Sequence, residues 1–221
     1  MFDQRTLLIL AEGTVDTLYV TLAATFFSYV FGLAMGVVLA VSRRDGIAPH
    51  PLVYPALDVA VNLTRSFTFL ILMIAVIPFT RLVVGTSIGN NATIVPLVLA
   101  ASPFVARLVE GSLLEVDRGV VEAAQSMGAS VWQIVTKVLI PEALPSLISG
   151  SAVAAITILG YSAMAGAVGG GGLGKLAIMY GYNRYQTDIM VVTVALLIVI
   201  VQLFQSLGNW AMRRVNRRLS H

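Results

Sequence analysis

Residues 17–42 read TLYVTLAATFFSYVFGLAMGVVLAVS, without a single charged side chain between Asp16 and Arg43. A helix crosses the hydrocarbon core of a bilayer in about 20 residues. The stretch therefore reads as a membrane-spanning helix, and the rest of the chain repeats the pattern. Residues 66–80 form an apolar run of 15 residues between Arg65 and Arg81 that extends back through LDVAVNL, residues 57–63. A third run, Asn91 to Ala106, contains Pro96 and Pro103. Membrane helices tolerate proline where neighbouring groups satisfy the freed backbone. The fourth and fifth runs are Ser146 to Val168 and Ile189 to Met212. The expectation is an all-α integral membrane protein of about five transmembrane helices.

Composition agrees. The chain has 221 residues, 57% hydrophobic and 11% charged, against roughly 25% charged in a soluble domain. With no cysteine, neither a disulfide framework nor a thiolate metal site is possible, and the two histidines, His50 and His221, are far apart. No metal is expected. The N-terminal segment carries Asp3, Glu12 and Asp16 with no cationic patch before a short apolar region, unlike a cleavable signal.

Alternating the segments across the membrane sorts the cations. One side receives Arg43, Arg44, Arg65, Arg107, Arg118, Lys137, Arg213, Arg214, Arg217 and Arg218; the other receives Arg5, Arg81, Lys175 and Arg184. Ten against four makes the first side cytoplasmic, with the N-terminus outside and the C-terminus inside. The tail RRVNRRLSH is then a stop-transfer cluster or a lipid-headgroup anchor.

On this orientation the longest polar interruption, residues 110–145, is cytoplasmic. Ala124, Met127, Val131, Val135 and Val138 recur at the spacing of one helix face. Gly128 interrupts that face, Ser130 and Gln133 have the spacing of a capping box, and Pro141 is expected to end the second helix. The segment reads as two short amphipathic helices joined at a glycine corner. Such a pair lies on lipid or docks into another protein. With Lys137 its only cation from Val120 to Pro145, docking is favoured.

The sequence EAAQSMGASVWQIVTKVLIP, Glu122 to Pro141, resembles the EAA loop of ABC-importer permease subunits. That pattern is E-A-A, three residues, G, nine residues, then I-x-L-P. Here it runs Glu122, Ala123, Ala124, Gly128, then Val138-x-Ile140-Pro141, with two conservative departures. The stretches NLTRSFTFLILMIAVIPFTRLVVGTSIG, residues 62–89, and GYSAMAGAVGGGGLGKLAIMYGY, residues 160–182, are similar to methionine-importer permeases. The resemblance implies a single permease domain over residues 1–221 in a bacterial inner membrane. It implies a homodimer, two copies of a cytoplasmic ATPase, a periplasmic or lipid-anchored binding protein, contact with membrane lipid and no nucleic acid. Glu122, Ala123, Ala124, Gly128 and Pro141 would belong to the ATPase-coupling loop, with Glu122 near a helix start. ATP and magnesium would sit on the partner chain, and no cofactor on this one. Methionine is the implied substrate; another small amino acid or a lipophilic compound is the alternative.

Within the fourth span, Tyr161, Ser162 and Met164 are candidates for the substrate pathway or gate. Methionine offers a soft surface to a thioether, and Tyr161 and Met164 share a helix face. Packing by small residues is the competing reading for that span. Asp58, Asn62 and Arg65 share a face of the second span. There the Asp58 carboxylate is expected to pair with Arg65 or with another subunit, and the set is either a structural cluster near the headgroups or, through Asp58 and Arg65, the coupling site of an ion-driven secondary transporter, the rival class. An intramembrane enzyme would need a nucleophile–base pair or metal ligands that the spans lack, and a scaffold subunit without its own pathway is a further rival. The glycines of AVGGGGLGKLAIMYG, residues 167–181, match G-x-G-x-x-G and G-x-x-x-x-G-K as strings. No strand precedes them, and Leu176 stands where a phosphate loop needs Ser or Thr. The run is read as a turn or gate at the outer mouth.

Overall fold

The computed structural model describes the backbone of residues 4–219 and the side chains of residues 4–215. Arg217, Arg218, Ser220 and His221, on which the tail-anchor reading depends, lie outside the described side chains. The described residues form helices joined by turns, in the order α1 Gln4–Ser42, α2 Val53–Ser66, α3 Phe69–Ala75, α4 Ile77–Val84, α5 Asn90–Leu114, α6 Arg118–Ser126, α7 Val131–Ile134, α8 Ile140–Glu142, α9 Leu144–Ala165, α10 Gly172–Leu176 and α11 Thr187–Leu219. Four helices are long and apolar enough to span a bilayer: α1, α5, α9 with its 3₁₀ extension, and α11. The apolar pair α2 and α3 is bent by 101° at its break, so the described residues hold four such helices, or five spans if that bent pair counts as one.

Two expectations about the spans change. The first helix begins at Gln4 rather than near Thr17 and carries Glu12 and Asp16 within it. At about 1.5 Å per residue its 39 residues reach roughly 58 Å, well beyond the ~30 Å hydrocarbon core. The second span is not continuous. Phe67 caps α2 with extended backbone (φ −75°, ψ 133°), and the apolar run turns away from the amphipathic α2.

The core is organised around α1 against α5. Along α1 the residues Gly13, Thr17, Thr21, Ala24, Ser28, Gly32 and Gly36 are all buried, and their spacing of three or four puts them on one stripe. Lipid gives little hydrophobic drive for helices to associate, so close backbone approach takes over. At Gly36 a Cβ would lie 2.6 Å from the Ala106 carbonyl oxygen. Large side chains on the other faces, such as Phe26, Phe31 and Val38, are exposed, as a lipid-facing or partner-facing surface requires.

Candidate functional site: the helix pair and the bundle above it

Of residues 110–145, the first five continue α5 to Leu114. Asp117 caps α6, its carboxylate accepting from Gly119 N at 2.6 Å. Glu122 is the fifth of nine residues in α6, so it sits mid-helix, and Asp117 holds the dipole position expected for it. Gly128 makes the corner with φ +76°, a conformation open to glycine at little cost. Ser130 and Gln133 then form the expected capping box, with Ser130 N to Gln133 Oε1 at 2.9 Å and Gln133 N to Ser130 Oγ at 3.3 Å.

Beyond the box the expectation for Pro141 fails. The chain stays helical through a π-turn at Val135–Leu139 and on into α8 and α9. Pro141 lies at the first turn of α8, where its missing N–H is cheap because the wider turn has already freed local carbonyls. The single-face reading of the periodicity is also corrected. Ala124, Val135 and Ile134 are buried, but Met127 is 81% exposed and Trp132 is 74% exposed. α6 ends at Ser126 with Met127 as its C-cap, and the corner at Gly128 puts Val131 on a new helix, so the five periodic residues share no single face. Ala123 is exposed while Ala124 packs inside. The pair thus buries Ala124, Ile134 and Val135 and leaves Val120, Met127, Val131 and Trp132 exposed.

The pair is tied to the end of α1. Asp45 bridges Arg43 Nε at 2.9 Å and Arg118 Nη2 at 2.7 Å. Its carboxyl is held below the usual carboxylate range, first by its own backbone N–H and then by the two guanidinium groups. Glu122 and Gln125 line a cavity of about 340 Å³ beside this bridge.

One helical layer deeper lies a charge cluster that the sequence did not assemble correctly. Asp58 does not pair with Arg65, which is exposed. Its partner is Arg107 on α5. Arg107 also contacts Glu110 at 2.7 Å and donates to Asn62 Oδ1 at 3.0 Å, while Asn62 donates to Asp58 at 3.3 Å. Glu110 is only 5% exposed. The signal available was Arg107 and Glu110 one turn apart in an apolar helix, since ionisable groups at membrane depth are costly unless paired. With Arg65 turned away, the ion-coupling pair required by the rival class is absent among the described residues.

The fourth-span candidates take three different environments. Tyr161 stacks on Phe69 of α3, rings 4.7 Å apart and 7° from parallel. Ser162 is buried and donates to Leu159 O within its own helix at 2.8 Å. Met164 is 44% exposed. The glycine run folds as a packing station. Gly170 N donates to Ala165 O at 2.9 Å, and Leu173 N donates to Thr17 Oγ1 at 2.8 Å. A Cβ on Gly174 would collide with the Ala163 carbonyl. Backbone N–H groups that a phosphate loop would turn outward are engaged inside the bundle.

Residues 30–221 match the family described as binding-protein-dependent transport system inner membrane component. The chain is 50% identical over 210 residues to the probable D-methionine transport system permease protein MetI of Vibrio cholerae serotype O1, covering 95% of this chain and 93% of that one. It is 48% identical over 158 residues to the D-methionine transport system permease protein MetI of Escherichia coli K12, covering 72% and 73%. A solved structure of the MetNI methionine ABC transporter in inward-facing conformations superposes with a TM-score of 0.95 at 45% identity, over 97% of this chain and 99% of that one. An amino acid ABC transporter solved with histidines shares the fold at a TM-score of 0.76 and 20% identity. The chain belongs to the family of inner membrane components of binding-protein-dependent transport systems.

Proposed function

We propose that the chain is the permease subunit of an ABC importer that moves methionine, L- or D-, into the cytoplasm. The carrying observation is the 50% identity to a D-methionine permease over 95% of the chain. The bared face of the helix pair supports the same reading. Val120, Met127, Val131 and Trp132 are exposed, and apolar side chains displayed together at the polar end of a bundle mark a docking surface. That face takes the cytoplasmic ATPase, and the bridge through Asp45 passes movement of the pair to α1. ATP and magnesium belong to that partner. Two copies of this chain enclose the pathway around a two-fold axis, fed by a binding protein at the far end. The helix pair is cytoplasmic, the N-terminus outside and the C-terminus inside. Met164, the exposed member of the fourth-span trio, contacts substrate or gates it. Tyr161 and Ser162 shape the wall behind it.

The test is uptake of labelled methionine in cells lacking the gene, with the gene restored or absent, before and after ATP depletion. Uptake that needs both the gene and ATP, and survives collapse of the proton gradient, is the expected result. Uptake that follows the gradient instead would overturn the ABC reading. Absence of methionine uptake by a chain that still co-purifies with an ATPase would discard the substrate alone.

A further inference from the structure

Two cations far apart in sequence, Arg5 and Arg184, share one cavity. The cavity, about 270 Å³, is lined by Arg5, Thr6, Tyr180, Arg184 and Gln186, together with Ile9, Leu10 and Ile189. Every polar side chain on its wall can donate a hydrogen bond, and no carboxylate lines it. Neither arginine has an ion-pair partner among the described residues. Arg184 is fixed in place rather than left to wander. Its guanidinium stacks 4.7 Å from the centroid of the Tyr180 ring. The turn that carries it is closed by Gln186 N donating to Tyr180 O at 3.1 Å. The next residue, Tyr185, adopts φ +55°, a left-handed conformation that a bulky side chain holds only at a cost.

Two guanidinium groups on one cavity, with no carboxylate among its described lining residues, repel each other, and an anion relieves that repulsion. Arginine binds phosphate oxygens through paired N–H groups. Apolar side chains line the same cavity as the donors, which matches a molecule with an anionic head and a hydrocarbon body. Tyr180 has the amphipathic ring that favours the membrane–water boundary. We propose that this cavity binds the phosphate group of an anionic phospholipid, with Arg5 and Arg184 as its two charged ligands and the acyl chains descending over Ile9 and Ile189. The ligand bridges the first turns of α1 to the turn before α11. On the orientation proposed above, which the site itself does not need, it belongs to the outer leaflet.

The test is native mass spectrometry of the purified chain in mixed micelles containing phosphatidylglycerol or phosphatidylcholine. It compares the unaltered chain with Arg5→Gln/Arg184→Gln and with Arg5→Lys/Arg184→Lys, with and without inorganic phosphate as competitor. The unaltered chain should retain phosphatidylglycerol in preference to phosphatidylcholine. The double glutamine variant should retain roughly thirtyfold less, the change that corresponds to about 1 kcal/mol for each cation beside an anionic membrane surface. The lysine variant should fall between them, which separates charge from a folding defect. Displacement by inorganic phosphate would keep the phosphate site and make free anion its source. Equal retention of phosphatidylglycerol by all three chains would overturn the proposal. So would unchanged lipid with loss of binding-protein docking in the glutamine variant, which would reassign the arginines to an acidic protein surface.

Discussion

Asp58 of α2 and Arg107 of α5 form an ion pair across 49 positions of sequence, and Glu110 closes on the same guanidinium from one turn further along α5. One cation therefore neutralises two carboxylates, one of them buried. Removing the cation leaves the buried Glu110 carboxyl without its partner. Arg107→Ala should lower stability by about 3 kcal/mol or more, whereas Asp58→Asn, which keeps a hydrogen-bonding group, should cost under half of that. Thermal unfolding of the purified chain in detergent checks the order. An Arg107→Ala loss no larger than that of Asp58→Asn would mean that solvent reaches Glu110.

The Thr17 hydroxyl joins α1 to α10 by accepting from Leu173 N, at a fully buried position. Thr17→Val keeps the shape and removes the acceptor. It should destabilise by roughly 1–3 kcal/mol, the cost of a buried unsatisfied donor, while Thr17→Ser should be near neutral. The same unfolding measurement reads both.

Two glycines of α9 and α10 should respond differently to one added methyl group. A Cβ on Gly174 runs into the Ala163 backbone, while a Cβ on Gly160 meets nothing within 4 Å. Gly174→Ala should cost more than about 2 kcal/mol through overpacking against backbone. Gly160→Ala should be neutral or slightly stabilising. Yield of folded chain by size-exclusion chromatography discriminates them.

Met127 and Trp132 contact little of their own chain, being 81% and 74% exposed. Met127→Glu and Trp132→Ala should change stability by less than about 0.5 kcal/mol. If their face seats the ATPase, the same variants should lose most transport and most ATPase co-purification. Full uptake by both variants would move the docking surface elsewhere.

Acid should loosen the bridge at Asp45. Its folded-state pKa is lowered from the ordinary value of 3.8, so its contribution is present in full above that value. It is lost as pH falls through the lowered folded value. Arg118→Ala should therefore weaken α6 most at neutral pH and make little difference in strong acid. Hydrogen exchange of α6 amides across pH, corrected for intrinsic rates, measures this.

Much of the architecture was legible in the chain because a bilayer imposes length and polarity directly. The runs at residues 91–106, 146–168 and 189–212 each became a spanning helix, and the Ser130–Gln133 box formed as its three-residue spacing requires. These are local rules, satisfied by neighbours in sequence. The small-residue stripe from Gly13 to Gly36 was also present in the sequence. Its meaning depends on α5, against which those backbones close.

What tertiary structure decided were the choices between partners that are all chemically acceptable. Asp58 could take Arg65 or Arg107, and only the 101° break after α2 and the packing of α5 bring it to Arg107. Pro141 is a helix terminator by propensity, yet the π-turn before it lets the helix pass. Met127 shares a helical period with Ala124 but is the C-cap where α6 ends, and it is exposed where Ala124 is buried. Composition and period act over one or two turns, and so the three uninterrupted runs, the Ser130 cap and the Gly128 corner could be read from local residues, whereas the break after α2 could not. The pairing of charges and the side of the loop left bare depend on contacts far apart in the chain, which exist only after the helices have packed.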